Sequence, residues 1–433
     1  MILLLLKKLM ANNMISFERT PAGIPVITQY IEDSPNTGFM VGVNTGSRDE
    51  ESRVFGISHL LEHVVFRATK TRSSFQMSKE IEGAGGEMNA FTSKENTAYY
   101  AVTLTETMNT AKDLVADIVC NPLINPDDVE MEKKIVLQEL SMCENDPSSY
   151  IHDLFSETIW RNHDLGHNEG GTSDIVKKLN DTDLKEYYSN KYVTQNLAVF
   201  ACGNVDKGEV MDWAMENFDC MTSSKGNIRT KPSVQPACYK HFLRKEDHCY
   251  VGFGFPAFSA DHEDRIVLSL LNAVIGTGSS SRMFQQVREE KALVYSIYNY
   301  VDQNSDAGSF ATYFSSTEEN VKEAVDTVTK VYRDLKSNGV TQEELTRARN
   351  LIKGATVRYM ESTDHKLHKL ARNFMLSGEI RSEEERIKAL DSVTVEDVMR
   401  VADKLIDSNK VTVVMYGNDA ESMKNFSSDE VDL

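Results

Sequence analysis

No two of the six cysteines (Cys120, Cys143, Cys202, Cys220, Cys238 and Cys249) stand in a C-x-x-C pair. Their spacing therefore indicates neither a disulfide framework nor a cysteine-ligated zinc site, and they read as reduced thiols of a cytoplasmic protein. Basic residues are outnumbered: 47 Lys and Arg against 66 Asp and Glu leave a net charge of −19. Nucleic acid and anionic membranes are bound through basic patches, so neither is expected as a partner. No stretch approaches the ~20 consecutive apolar residues of a membrane-spanning helix. The apolar run Ile2 to Leu6 is shorter than a signal-peptide core, and its charges, Lys7 and Lys8, follow it rather than precede it. Residues 1–14 are expected to be an extension, with Met10 or Met14 as alternative starts. What remains is 40% hydrophobic and 26% charged over 433 residues, the composition of a globular chain with length for more than one core.

Against that background one stretch stands out, Gly56-Ile57-Ser58-His59-Leu60-Leu61-Glu62-His63-Val64-Val65-Phe66. Neither Gly nor Pro interrupts it after Gly56, and its apolar residues recur at helical spacing. On a helix, His59, Glu62 and His63 share one face while Leu60, Leu61, Val64 and Val65 cover the rest. A helix apolar on most sides is buried, and two imidazoles and a carboxylate buried without partners are costly. A divalent metal resolves the conflict: two His at i and i+4 can reach one Zn²⁺, with Glu62 beside them to hold an attacking water. H-x-x-E-H arises by chance often enough that it needs company.

The chain supplies a repeat. Ser58-His59-Leu60-Leu61-Glu62-His63 lies over Leu268-Ser269-Leu270-Leu271-Asn272-Ala273 at an offset of 210 residues, which also sets Asn89 on Asn299 and Tyr100 on Phe310. The structural pattern recurs and the chemistry does not, since Ser269, Asn272 and Ala273 replace the metal-binding types. Two homologous α+β domains in tandem are expected, residues 15–221 bearing the metal and 238–418 lacking it. A polar linker, 222–237, joins them, and 419–433 form a polar tail.

Two His leave a catalytic zinc one protein ligand short. Glu132 and Glu139 are both candidates, seven residues apart on one face of a helix opened by Pro126-Asp127-Asp128. Glu139 is expected among Ile135, Val136 and Leu140, where a carboxylate would need a partner. The corresponding residues of the second repeat, after a six-residue insertion, are Ala348 and Ala355, so carboxylates and His pair disappear together.

These residues, with Gly85-Gly86-Glu87-Met88-Asn89-Ala90-Phe91-Thr92, Asn196 ahead of Gly203-Asn204, Ser281-Arg282-Met283-Phe284, and Arg288-Glu289 followed by Leu293-Val294-Tyr295-Ser296, make the sequence similar to the inverted-zincin, or pitrilysin, metallopeptidases. It most resembles their half-length, mitochondrial processing peptidase-like group, from about residue 15 to 417. The resemblance implies largely antiparallel mixed sheets packed with helices. It implies one Zn²⁺ per chain on His59, His63 and Glu139, Glu62 as general base, and Glu132 orienting a ligand. Asn89 and Ala90 would lie on an edge strand that takes up an extended peptide, and Arg288 and Tyr295 would meet the substrate carbonyl. Arg67-Ala68-Thr69 and Asn168-Glu169-Gly170-Gly171-Thr172 depart from the family pattern, outside the ligand set.

The activity so implied is zinc-dependent endopeptidase action inside a clamshell of four such domains. A two-domain chain would complete it as a homodimer, Arg288 and Tyr295 serving the partner's site. The rival expectations are a scaffold subunit, which degraded ligands would mark, and a catalytic subunit that needs a different partner.

Overall fold

The computed structural model describes residues 13–418, 420, 423, 426, 431 and 433. The expected N-terminal extension lies outside them up to residue 12, while Asn13 and Met14 already belong to the first strand. Most of the expected tail, 419–433, also lies outside the described residues.

The chain divides into two compact units, neither of which is a contiguous half. The first comprises residues up to Ser141, His167–Thr230 and Val357–Glu384; the second comprises Met142–Gly166, Lys231–Thr356 and Glu385–Leu433. The contiguous boundaries at 221 and 238 therefore need correcting: each half of the sequence lends the other unit a helix. The polar stretch 222–237 is itself divided, with the change of unit falling between Thr230 and Lys231.

In the first unit, β1 (Asn13–Arg19), β2 (Pro25–Ile31), β3 (Asn36–Val43), β4 (Glu87–Thr92), β5 (Thr97–Leu104) and β6 (Leu197–Gly203) form one sheet in the order β1-β2-β6-β3-β5-β4. Only β2 and β6 run parallel. β3 and β6 read as near-continuous apolar runs and are buried along almost their whole length, which requires both faces of the sheet to be covered. Helices Ile57–Val65 and Met108–Cys120 contribute to the core on one face, helix Thr363–Ser377 to that on the other. The lent helix comes so close that a Cβ on Gly38 would meet Leu367 at 2.8 Å, and one on Gly42 would meet Met375 at 2.4 Å.

The second unit repeats this plan with β7 (Cys238–Leu243), β8 (Cys249–Ala257), β9 (Ile297–Gln303), β10 (Gly308–Ser316) and β11 (Thr412–Gly417), in the order β7-β11-β8-β10-β9. Strand for strand this matches β2-β6-β3-β5-β4, again with a single parallel pair, β7 and β11. Helix Pro147–Ile159, taken from the first half of the sequence, seals its outer face, with Phe155 3.0 Å from where a Cβ on Gly252 would lie.

The repeat is thus the same topology, but its ungapped offset fails in one hairpin. The turns close with Thr92 opposite Thr97 and with Gln303 opposite Gly308, an offset of 211 rather than 210. A one-residue slip in a strand reverses its faces. Asn89 is accordingly exposed, whereas Asn299 is buried, accepting from Thr312 Oγ1 at 2.7 Å and donating to Tyr332 OH at 3.2 Å.

Candidate metal centre

Helix Ile57–Val65 starts where the loop before it supplies a carboxyl group. Glu50 accepts the backbone N–H of Gly56 at 2.7 Å and that of Ser58 at 2.8 Å, satisfying donors that a first helical turn leaves open. Gly56 has φ 93°, and a Cβ there would lie 2.4 Å from the Gly170 carbonyl oxygen, so a side chain is doubly excluded. Ile57, Leu60, Leu61, Val64 and Val65 are buried and fix the helix rotation. That rotation turns His59 and His63 toward helix Pro126–Glu144.

His59 Nε2 lies 3.7 Å and His63 Nε2 3.4 Å from the same oxygen, Oε2 of Glu139. Among the described residues these three form a group whose donor atoms all lie within 4.8 Å of one another. A tetrahedral zinc with bonds of about 2.0–2.1 Å to N and O needs its donors roughly 3.3–3.4 Å apart, so this set fits with a small contraction. Two further features fit a cation. Burial, and then the neighbouring His63, push the His59 imidazole down to about 4, so it stays neutral with a lone pair to give. His59 Nδ1 is buried and without a hydrogen-bond partner, so nothing competes for the ring.

Glu132 stands two turns from Glu139 on one face of the helix, as its spacing predicts, but the carboxylate expected among apolar neighbours, Glu139, is not the buried one. Glu132 is the buried one, 5% exposed, while the Glu139 side chain is 45% exposed beside an exposed Ile135. Glu132 Oε2 sits 3.1 Å from His63 Nδ1, and its Oε1 lies 3.5 Å from Arg67 Nη1. The Nδ1–H of His63 therefore donates to a carboxylate, which leaves the Nε2 lone pair aimed at the donor group. Arg67 also reaches Asp128 at 3.6 Å, a use for the departure at Arg67-Ala68-Thr69 that the sequence alone did not suggest.

Glu62 points from the same helix toward β4, where Thr92 Oγ1 donates to its Oε2 at 2.6 Å. Burial raises its carboxyl above the ordinary range, while the Thr92 bond and His63 pull it back. Sequence reasoning missed Thr92 as the partner, although it ends the quoted G-G-x-x-N-A-x-T segment. Asn89 and Ala90 lie on β4, the edge strand of this sheet, with the Asn89 side chain exposed. Arg288 and Tyr295 belong to the second unit. There the Arg288 guanidinium lies 4.5 Å from the Phe284 ring centroid and 5.8 Å from that of Tyr295, whose side chain is 83% exposed.

A duplicated α/β fold with a His–His–Glu donor set and a second carboxylate on the same helix is of the zinc-metallopeptidase class. Comparison with known proteins places it within that class. Residues 26–173 match the family model described as insulinase (peptidase family M16), and 178–352 match the peptidase M16 inactive domain. Curated relatives include uncharacterized zinc proteases of Mycobacterium leprae, 31% identical over 91% of this chain and 90% of that one, and of Streptomyces coelicolor, 33% identical over 88% and 85%. Another, YmxG of Bacillus subtilis, is 31% identical over 88% of this chain and 93% of its own. The fold is shared with a protease from Helicobacter pylori, at TM-score 0.87 and 20% identity over 93% of this chain and 99% of that one. The chain belongs to the M16 peptidase family, the pitrilysin group that its motifs indicated. Among the described residues no helix is long and apolar enough to cross a membrane.

Proposed function

We propose that this chain is a zinc-dependent endopeptidase that holds one Zn²⁺ on His59, His63 and Glu139 and hydrolyses peptides bound in extended form. The observation that carries this reading is the convergence of two imidazole nitrogens and the Glu139 oxygen, with the Glu62 carboxylate on the same helix face. When bound, the metal supplies Lewis-acid polarisation of the scissile carbonyl and lowers the pKa of a water towards ~7. Glu62 takes the proton of the attacking water and returns it to the leaving amine. Thr92 fixes which Glu62 oxygen is free for that work by occupying the other. Glu132 keeps His63 in the tautomer that ligates. A substrate adds along the open side of β4 beside Asn89 and Ala90, its backbone continuing the sheet.

Arg288 and Tyr295 of the partner subunit complete each site in a homodimer whose domains enclose the peptide. The free state of all six cysteines supports a reducing, cytoplasmic setting. A scaffold role is disfavoured because the first half retains every donor, while the second half carries Ser269, Asn272 and Ala273 in their place.

The test is a peptide-library digest by wild type and Glu62→Gln, with bound metal measured in both. Cleavage should fall by roughly 10²–10⁴-fold with zinc content unchanged. Equal cleavage would remove Glu62 as the base, and active protein without metal would remove the class. Mixing Glu62→Gln with Tyr295→Phe subunits addresses action across the dimer: recovered activity is expected, and none would count against it.

A further inference from the structure

Two thiols converge on one carbonyl oxygen in the first unit, with a thioether beside one of them, well away in sequence from the histidine helix. Cys120 is the last residue of helix Met108–Cys120, and Cys220 and Met221 lie two and three residues past the end of helix Lys207–Phe218. Both thiols reach one backbone oxygen, that of Asn217, Cys120 Sγ at 3.4 Å and Cys220 Sγ at 3.6 Å. The thioether of Met221 lies 4.0 Å from Cys120 Sγ. One hundred residues separate the two cysteines, so no C-x-x-C spacing could have announced them.

We infer that Cys120, Cys220 and Met221 form a site for a soft monovalent metal ion of the Cu(I) class. Thiolate and thioether sulfurs select such ions over the harder divalent ones. Sulfurs about 2.3 Å from a metal in a trigonal arrangement stand roughly 4 Å apart, the separation of the Cys120 and Met221 sulfurs. The setting also distinguishes cation binding from disulfide formation. Both helices end here, and a helix C-terminus carries partial negative charge that favours a cation and disfavours a free thiolate. Burial, with smaller contributions from Cys220 and Asp117, pushes the Cys120 thiol up to about 12 against the opposing pull of Lys70, so oxidation through a thiolate is slow there. Binding replaces the two thiol protons, which pass to solvent, and neither sulfur nor metal changes oxidation state. Cys220 is exposed and gives the ion a way in, while Cys120 is half-buried and holds it.

The experiment is an anaerobic titration of the zinc-loaded, reduced full chain with Cu(I) against a chromogenic Cu(I) chelator. Wild type should hold one equivalent with sulfur-only scattering in X-ray absorption and without releasing zinc. Cys220→Ser, at an exposed position that leaves the core untouched, and Cys120→Ser should each weaken binding by more than the roughly 10–100-fold typical of losing an outer-shell partner. Met221→Leu should weaken it less, because two thiolates remain. Three results would overturn the site: equal Cu(I) affinity in wild type and the Cys120→Ser/Cys220→Ser double variant, Cu(I) taken up only with release of zinc, or loss of two titratable thiols without bound copper.

Discussion

Glu132 Oε2 lies 3.1 Å from Nδ1 of His63, on the far side of the ring from the Nε2 that faces Glu139. The carboxylate is buried and shared with Arg67, so its charge is held in place rather than free to swing to the metal. Replacing it with Gln keeps the shape but removes the charge that makes His63 a stronger donor. Glu132→Gln should lower zinc affinity by roughly 10–100-fold, read by chelator competition, with the fold intact by circular dichroism. An unchanged zinc affinity would reduce Glu132 to a salt-bridge partner of Arg67.

Thr92→Val separates positioning of the base from binding of the metal. Among the described residues the hydroxyl reaches only Glu62 Oε2, and Val keeps the β-branched shape suited to the end of β4. Without the bond the Glu62 carboxyl loses an interaction that favours its charged form, so less of it is ready to accept a proton. The expected outcome is a fall in kcat of about tenfold, the scale of a 1.4 kcal/mol hydrogen bond, with KM and zinc content little changed. A change confined to KM would place Thr92 in substrate binding instead.

Much of this centre was legible because it is written locally. His59, Glu62 and His63 need only a helix to share a face, and Glu132 and Glu139 need only a second one. The duplicated topology was legible as a recurring pattern, since strands and helices of the two halves follow in the same order. What could not be read depends on contacts distant in the chain. The exchange of helices Pro147–Ile159 and Thr363–Ser377 leaves no local signature beyond glycines such as Gly38 and Gly252, whose need for close approach is visible only once the helix is there. Asn89 and Asn299 agree in sequence yet face opposite ways, because a single-residue shift in a hairpin is invisible to an ungapped offset. Glu139 is half-exposed despite its apolar neighbours for a similar reason: which side of the helix meets the core is set by the whole unit.

Arg229 shows how the polar stretch 222–237 is tied to the first unit. Its guanidinium donates to both Asp49 oxygens at 2.9 and 2.7 Å, to Asn44 Oδ1 at 3.0 Å and to the Glu95 carbonyl at 2.7 Å. Asp49 is almost fully buried, so Arg229→Met would strand its charge at a cost of about 3–5 kcal/mol. Urea unfolding should show that loss, and Asp49→Asn in the same chain should recover part of it, because the stranded charge is gone. A loss below about 1 kcal/mol, the range of exposed pairs, would mean that the stretch is an ordinary surface linker.

Glu50 gives the histidine helix a pH-dependent start. Burial is the largest influence on its carboxyl and pushes it up to about 8, with Asp49 adding to the rise, while the Ser58 hydroxyl and the N–H groups of Ser58 and Gly56 oppose it. Tyr187, bonded to Ser58, and Lys191 are the other titratable groups facing it. Between the ordinary 4.5 of the unfolded chain and about 8 in the fold, the folded state holds a proton that the unfolded state has released. Stability from this group is therefore complete below 4.5 and declines as pH rises toward 8, by up to about 1.4 kcal/mol per pH unit. Glu50→Gln carries no such proton and should flatten the profile over that window. Denaturant melts from pH 5 to 8.5, run with a chelator present to remove the pH dependence of metal binding, make the comparison. A wild-type profile parallel to that of Glu50→Gln would show that the two backbone donors hold the carboxylate charged throughout, and the pH dependence would then arise elsewhere in the unit.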